Sequence, residues 1–208
     1  MAKTRRSDAG GAGRGRREGR RGRPGGPRAR LFVALDLPEP ARAAIADWRD
    51  RAIAERSELR PVAPDALHVT LCFLGWRAES DAPRIGELAA AATSGGPVPR
   101  LGPVELVGVP TRNPRLFALG LDDQADAAST LQAAVSAALA AASLYEPEPR
   151  AFWPHITLAR VRRGARAGAV QAAPPPADRF TARDLTLYQS TLRPQGAHYR
   201  PLARIRLG

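Results

Sequence analysis

The chain has 208 residues and a formal net charge of +12, from 32 Lys and Arg against 20 Asp and Glu, and 44% of it is hydrophobic. That apolar share excludes disorder of the whole chain, and the lone cysteine, Cys72, excludes a disulfide within one copy. No apolar run approaches the ~18–20 residues that span a bilayer, so a cytoplasmic protein with no membrane partner is expected.

The charge is concentrated at the start. Residues 1–30 hold Lys3 and ten arginines against Asp8 and Glu18, a net +9, which leaves +3 for the rest. Residues 1–29 are Gly/Arg-rich without apolar periodicity, so a disordered tail is expected, followed by a single bilobal domain over 30–208. Such a tail reads either as a solubilising appendage or as an arm for phosphate backbones. Lys3 is the only lysine, and Ala, Gly, Pro and Arg are all abundant. Arginine excess alone is therefore weak support for nucleic-acid binding.

Strand-like and helix-like segments then alternate. Residues 31–37 (LFVALDL) read as a strand ended by Pro38 and Pro40, before a helix in which Ala41, Ala44, Ile45, Trp48 and Ala52 recur at helical spacing. Residues 67–74 read as a second strand. Ser80 is the expected N-cap of a helix with Ile85, Leu88, Ala89 and Ala92 on one stripe, closed by Gly95 and Gly96. Strands at 104–109 and 115–121 flank a proline-rich turn, and 124–143 reads as the longest helix, with Leu131, Val135, Leu139 and Ala142 on one face. A strand at 155–161, an Arg/Gly/Pro-rich loop to 177, and strands at 185–192 and 202–207 complete the chain. Pro194 and Gly196 predict a hairpin-like return between the last two. Several strand links are too short for a crossover helix, so a mostly antiparallel α+β fold is expected.

The chemistry is carried by a repeat. Leu67-His68-Val69-Thr70-Leu71 recurs as Pro154-His155-Ile156-Thr157-Leu158. With nine Thr in the chain, a given His starts such a tetrapeptide with a probability on the order of 10⁻², so two of the three histidines doing so is on the order of 10⁻⁴. On a strand, alternate side chains share a face, so each copy presents an imidazole beside a hydroxyl over an apolar back. The copies stand 87 residues apart, which suggests two similar lobes facing each other.

Two imidazoles in one cleft suit paired acid–base catalysis, one neutral and accepting a proton from water, the other protonated and donating to a departing oxygen. The hydroxyls of Thr70 and Thr157 suit the oxygens of a phosphoryl group. Arg160 lies five residues past His155, on the opposite parity, and needs a bend to reach the same cleft.

These motifs resemble the 2H phosphoesterase superfamily: paired His-x-Thr-x, the first running into Phe73-Leu74-Gly75, the second preceded by Pro154 and followed by Ala159-Arg160. The opening Arg30 to Pro38, and Ser190 with Leu192, Gly196 and Tyr199 near the end, are similar to its RNA 2′,3′-cyclic phosphodiesterase branch, historically called 2′-5′ RNA ligase. The resemblance implies two pseudo-symmetric lobes, each a mostly antiparallel sheet with helices outside and an active-site cleft between. It implies hydrolysis of RNA 2′,3′-cyclic phosphate ends to 2′-phosphates with no metal or other cofactor, with ligation as the reverse reaction. His68 is then the proton donor and His155 the acceptor, although the symmetry of the motifs allows the exchange. Thr70, Thr157 and Arg160 hold phosphate, and Phe73 stacks on a base. The implied partner is RNA with such ends, tRNA fragments or oligonucleotides, met by a monomer. Trp153 and Cys72 depart from the residues usual at their positions.

Other readings are weaker. The two histidines have no Cys or carboxylate at ligand spacing, which disfavours zinc. Cys72 shares the nominal parity of His68 but stands among core residues, and His198 lacks a Thr two residues on. Arg162, Arg163 and Arg166 read equally as an RNA guide or as a solvated loop. The alternatives in function are a phosphodiesterase of small cyclic nucleotides and a non-catalytic module that binds RNA ends.

Overall fold

The computed structural model describes residues 26–193 and 196–208. The expected basic tail lies outside the described residues through position 25, as does Pro194. The described residues form nine strands: β1 (Arg28–Asp36), β2 (Leu59–Pro61), β3 (His68–Ala78), β4 (Arg100–Val109), β5 (Leu116–Asp123), β6 (His155–Val161), β7 (Phe180–Thr181), β8 (Asp184–Arg193) and β9 (Gly196–Arg206). Three α-helices accompany them: α1 (Glu39–Ala52), α2 (Ala82–Thr93) and α3 (Ala127–Ala141). The first strand starts at Arg28, three residues before the expected strand at Leu31 and two before the expected start of the domain at Arg30. Ala29 is already only 3% exposed and pairs with Arg77, so the edge of the fold falls inside the residues assigned to the tail.

The expected two-lobed antiparallel α+β fold takes the form of one curled sheet, in the order β7-β4-β5-β6-β3-β1-β8-β9. One half is β7-β4-β5-β6 and the other β3-β1-β8-β9. They join through a single ladder pair, Val69 with Ile156, after which β3 and β6 diverge. Beyond that point β2 takes the edge of β6, with Arg60 as the Cα partner of Arg160. The halves correspond strand for strand, β3 to β6, β1 to β5 and β8 to β4.

The back face of the junction is core. Val69, Leu71, Ile156 and Leu158 are buried with Ile45 and Trp48 of α1, Ile85 and Ala89 of α2, and Leu131, Val135 and Leu139 of α3. Burying such a side chain contributes about 1.5–3 kcal/mol, which fixes the face that His68, Thr70, His155 and Thr157 must take. The helices differ from expectation in detail. In α1 the buried stripe is Ile45, Ala46, Trp48 and Arg49, while Ala44 is exposed. Ser80 sits in a 3-10 turn and caps nothing; α2 begins at Ala82, where the fixed φ of Pro83 suits the first turn.

The longest helix starts at Ala127 rather than at 124, because Ala125 and Asp126 adopt positive φ and kink the chain. Asp123 bridges the kink. Its carboxylate accepts from the backbone N–H of Ala128 (2.9 Å) and Ser129 (2.8 Å) and from the Ser129 hydroxyl (2.8 Å). Asp123→Ala is expected to cost about 1–2 kcal/mol and to lower Tm by about 2–8 °C, measured by thermal unfolding, with activity retained below the transition.

Candidate active site

The single junction pair sets the geometry of the site. In an antiparallel ladder centred on Val69 and Ile156, the adjacent rungs place His68 across from Thr157 and Thr70 across from His155, all on the face opposite the core. The two imidazoles are then diagonal neighbours, about 7–8 Å apart along an ideal ladder.

Both rings are oriented in the same way. Nδ1–H of His68 donates to the carbonyl of Ala66 and Nδ1–H of His155 to that of Trp153, each at 2.8 Å and each two residues back. A carbonyl only accepts, so Nδ1 carries the proton and Nε2 is left as the reactive nitrogen. Nε2 of His68 accepts from the Thr70 hydroxyl at 3.0 Å. Phe32 stacks on His68, with centroids 4.8 Å apart, and Tyr199 meets it edge-on at 5.2 Å. Tyr188 stacks on Phe32 in turn and donates its hydroxyl to Asp36 at 2.7 Å, and the Thr186 hydroxyl also donates to Asp36, at 2.8 Å. Burial, then the hydrogen bond to Asp36, pushes the Tyr188 phenol above its ordinary range, so it remains a donor.

Burial also dominates at His68, pulling its pKa down to about 4; the positive charges of His155 and Arg160 lower it further, against the Ala66 carbonyl, which raises it. In the free protein at neutral pH His68 is therefore the uncharged imidazole. Trp153 stacks on the ring of His155, with centroids 4.5 Å apart and planes 17° apart.

A cavity of about 340 Å³ opens in front of the junction, lined by His68, Thr70, Phe73, Thr157 and Arg160 among others. Five of the six expected site residues thus line one cavity. His155 does not line it, although its charge reaches His68. Sequence reading missed the functional place of Arg30, Phe32 and Arg60, which line the same cavity.

Two bulges bring in Phe73 and Arg160. Against β1, Val33 pairs with Cys72 and Ala34 with Thr70, so Leu71 is an extra residue; against β5, Phe117 pairs with Ala159 and Ala118 with Thr157, so Leu158 is extra. Each bulge shifts the parity by one. Cys72 and Ala159 are consequently buried, and Phe73 and Arg160 turn to the cleft as equivalent positions of the two halves. This supplies the bend that Arg160 needed and corrects the nominal parity of Cys72, whose thiol is buried away from His68, with its pKa pushed up to about 12. The ring of Phe73 is 41% exposed, with the Arg30 guanidinium 4.7 Å over it. Arg162 lies outside the cavity and donates to the Ser57 carbonyl at 2.9 Å. His198 is exposed on β9. Among the described residues no three His, Cys, Asp or Glu side chains cluster as metal ligands, and no helix is long and apolar enough to cross a membrane.

A family model described as the 2′-5′ RNA ligase superfamily matches residues 37–193, three quarters of the chain. The chain belongs to this superfamily. It is 30% identical over 177 residues to an RNA 2′,3′-cyclic phosphodiesterase of Escherichia coli strain K12, an alignment that covers 84% of this chain and 94% of that one. A Thermus thermophilus protein of the same name is 44% identical over 54 residues, about a quarter of each chain. Among solved structures, E. coli LigT complexed with 3′-AMP is similar at a TM-score of 0.73 and 30% identity, over 87% of this chain and 99% of that one. TT0787 of T. thermophilus gives 0.75 at 28% identity, over 86% and 97%. The match to the superfamily covers both His-x-Thr strands and both bulges.

Proposed function

We propose that the chain hydrolyses RNA 2′,3′-cyclic phosphate ends to 2′-phosphate ends by paired acid–base catalysis. The observation that supports this most is the junction of β3 and β6, which sets two imidazoles and two hydroxyls on one face with Nδ1 of both rings tied to a backbone carbonyl. Water attacks phosphorus, losing its proton to Nε2 of His155, while the bond from phosphorus to the ribose 3′ oxygen breaks and that oxygen takes a proton from Nε2 of His68. Thr70 and Thr157 donate to the non-bridging oxygens. Arg160, with Arg60 beside it on the next strand, offsets the added negative charge of the transition state. The names of the E. coli and T. thermophilus relatives support the reaction class, and the motif positions support the roles.

Burial works against the donor form of His68 in the free protein. Among the groups that depress it, Arg160 is a cation that a phosphodiester anion would offset. Substrate binding then raises the His68 pKa and loads its proton where the leaving oxygen will be. The same step with a ribose 5′ hydroxyl in place of water, its proton going to His155 and the 3′ oxygen leaving, forms a 2′-5′ linkage.

The direct test is a short oligoribonucleotide ending in a 2′,3′-cyclic phosphate, incubated with purified protein in excess EDTA. Conversion to the 2′-phosphate is expected, with phosphorus NMR assigning the position of the product phosphate. Release of the 3′-phosphate, or no turnover of any cyclic phosphate, would overturn the reading. The cavity has the volume of a small-molecule site, so nucleoside 2′,3′-cyclic monophosphates are expected to be turned over as well.

A further inference from the structure

The cleft face of β1 and β3 does not end at the cavity. Arg30 is the ladder partner of Trp76, as Phe32 is of Phe73, and a second bulge lies between these rungs, because Leu31 pairs with Gly75 and Leu74 is extra. Gly75 sits there at φ +69°, a conformation that costs glycine little. In an unbroken strand, residues three apart face opposite ways; the bulge puts Trp76 on the same face as Phe73. Its ring is 58% exposed and lies outside the cavity.

Arginines flank Trp76 along the backbone. Arg30 stands across from it, and its guanidinium covers Phe73. Arg28 donates to the Trp76 carbonyl at 2.7 Å, and Arg77 does so at 3.0 Å. A second exposed aromatic in line with the cleft, interleaved with arginines, has the make-up of a platform for single-stranded nucleic acid: rings for bases, cations for the backbone. The rungs at Phe73 and Trp76 are about 7 Å apart, roughly twice the 3.4 Å rise of stacked bases, which suits two bases spread onto separate rings.

We propose that Trp76, with Arg28 and Arg30, forms a second nucleotide subsite, which stacks the base 5′ to the nucleotide bearing the cyclic phosphate. This rests on the RNA reading above. It makes the protein selective for strands over mononucleotides, and it places the outgoing strand beside Gly26 and Pro27, where the basic segment 1–25 joins the fold.

The test compares kcat/KM for a nucleoside 2′,3′-cyclic monophosphate with that for a dinucleotide ending in the same group. The wild-type protein is expected to favour the dinucleotide about tenfold or more, the effect of one base–aromatic stack. Trp76→Ala should remove that preference and leave the mononucleotide within about twofold, while Trp76→Phe should keep most of it. A wild type without the preference, a Trp76→Ala protein that keeps it, or an equal loss on both substrates would overturn the subsite while leaving the hydrolase reading intact. A wild type inactive on every cyclic phosphate would overturn both.

Discussion

Replacing His155 or His68 with Ala is expected to lower kcat on a 2′,3′-cyclic phosphate by about 10²–10⁴-fold, the usual worth of a positioned acid or base, with little change in Tm. Stability should largely hold because the core contacts come from Val69 and Ile156 behind the two imidazoles, the larger loss falling on His68→Ala, whose ring packs on Phe32 and Tyr199. Two variants that both keep full activity would end the paired mechanism. The pH dependence of the residual rate then separates the roles. If His68 is the donor, the His68→Ala protein needs only a neutral His155, so its residual rate climbs with pH and levels off. If His68 is the acceptor, the same variant needs a protonated His155, and its residual rate falls as pH rises.

The wild-type profile carries a second sign. Burial disfavours the imidazolium of His68, so in the free protein it holds its proton only below about pH 4. The profile of kcat/KM reports the free protein, and its acid limb is expected near that value; kcat reports the complex, where the phosphate anion favours the imidazolium. The acid limb of kcat should therefore sit at higher pH than that of kcat/KM. Because the two rings interact, the limbs belong to the pair rather than to either histidine alone.

The His-x-Thr strands were legible because alternation is a local property: once Val69 and Ile156 are core, the faces of His68, Thr70, His155 and Thr157 follow. The parity of Cys72, Phe73 and Arg160 was not, since it depends on Leu71 and Leu158 being extra residues against β1 and β5, and a bulge is defined by the partner strand rather than by its own sequence. The short strands β2 and β7 were missed for the same reason. Three residues beside a diverging edge become a strand only because β6 offers unpaired backbone there, and with β2 came Arg60. The expected cap at Ser80 failed against a stronger local constraint, Pro83 in the first turn of α2, and the start of α3 was displaced by a side chain, Asp123, that reaches across a kink. The lobes were legible as a repeat, but their joining into one sheet through a single pair is a tertiary fact.

Arg160→Ala is expected to lower kcat about 10²-fold on mononucleotide and oligonucleotide alike. The cyclic phosphodiester carries one negative charge and the transition state for attack by water carries more, so a guanidinium beside the phosphoryl oxygens is worth more in the transition state than in the ground state, and its loss falls on kcat more than on KM. Arg160→Lys should recover part of the rate, because the charge returns without the fork that engages two oxygens. Arg60 is the ladder partner of Arg160 and lines the same cavity, so an anion seated there meets both charges. Phosphate should accordingly protect the wild-type protein against thermal unfolding more than it protects Arg160→Ala. An Arg160→Ala protein that keeps wild-type kcat, or that gains as much from phosphate as the wild type does, would remove Arg160 from the site and with it the purpose assigned to the bulge at Leu158.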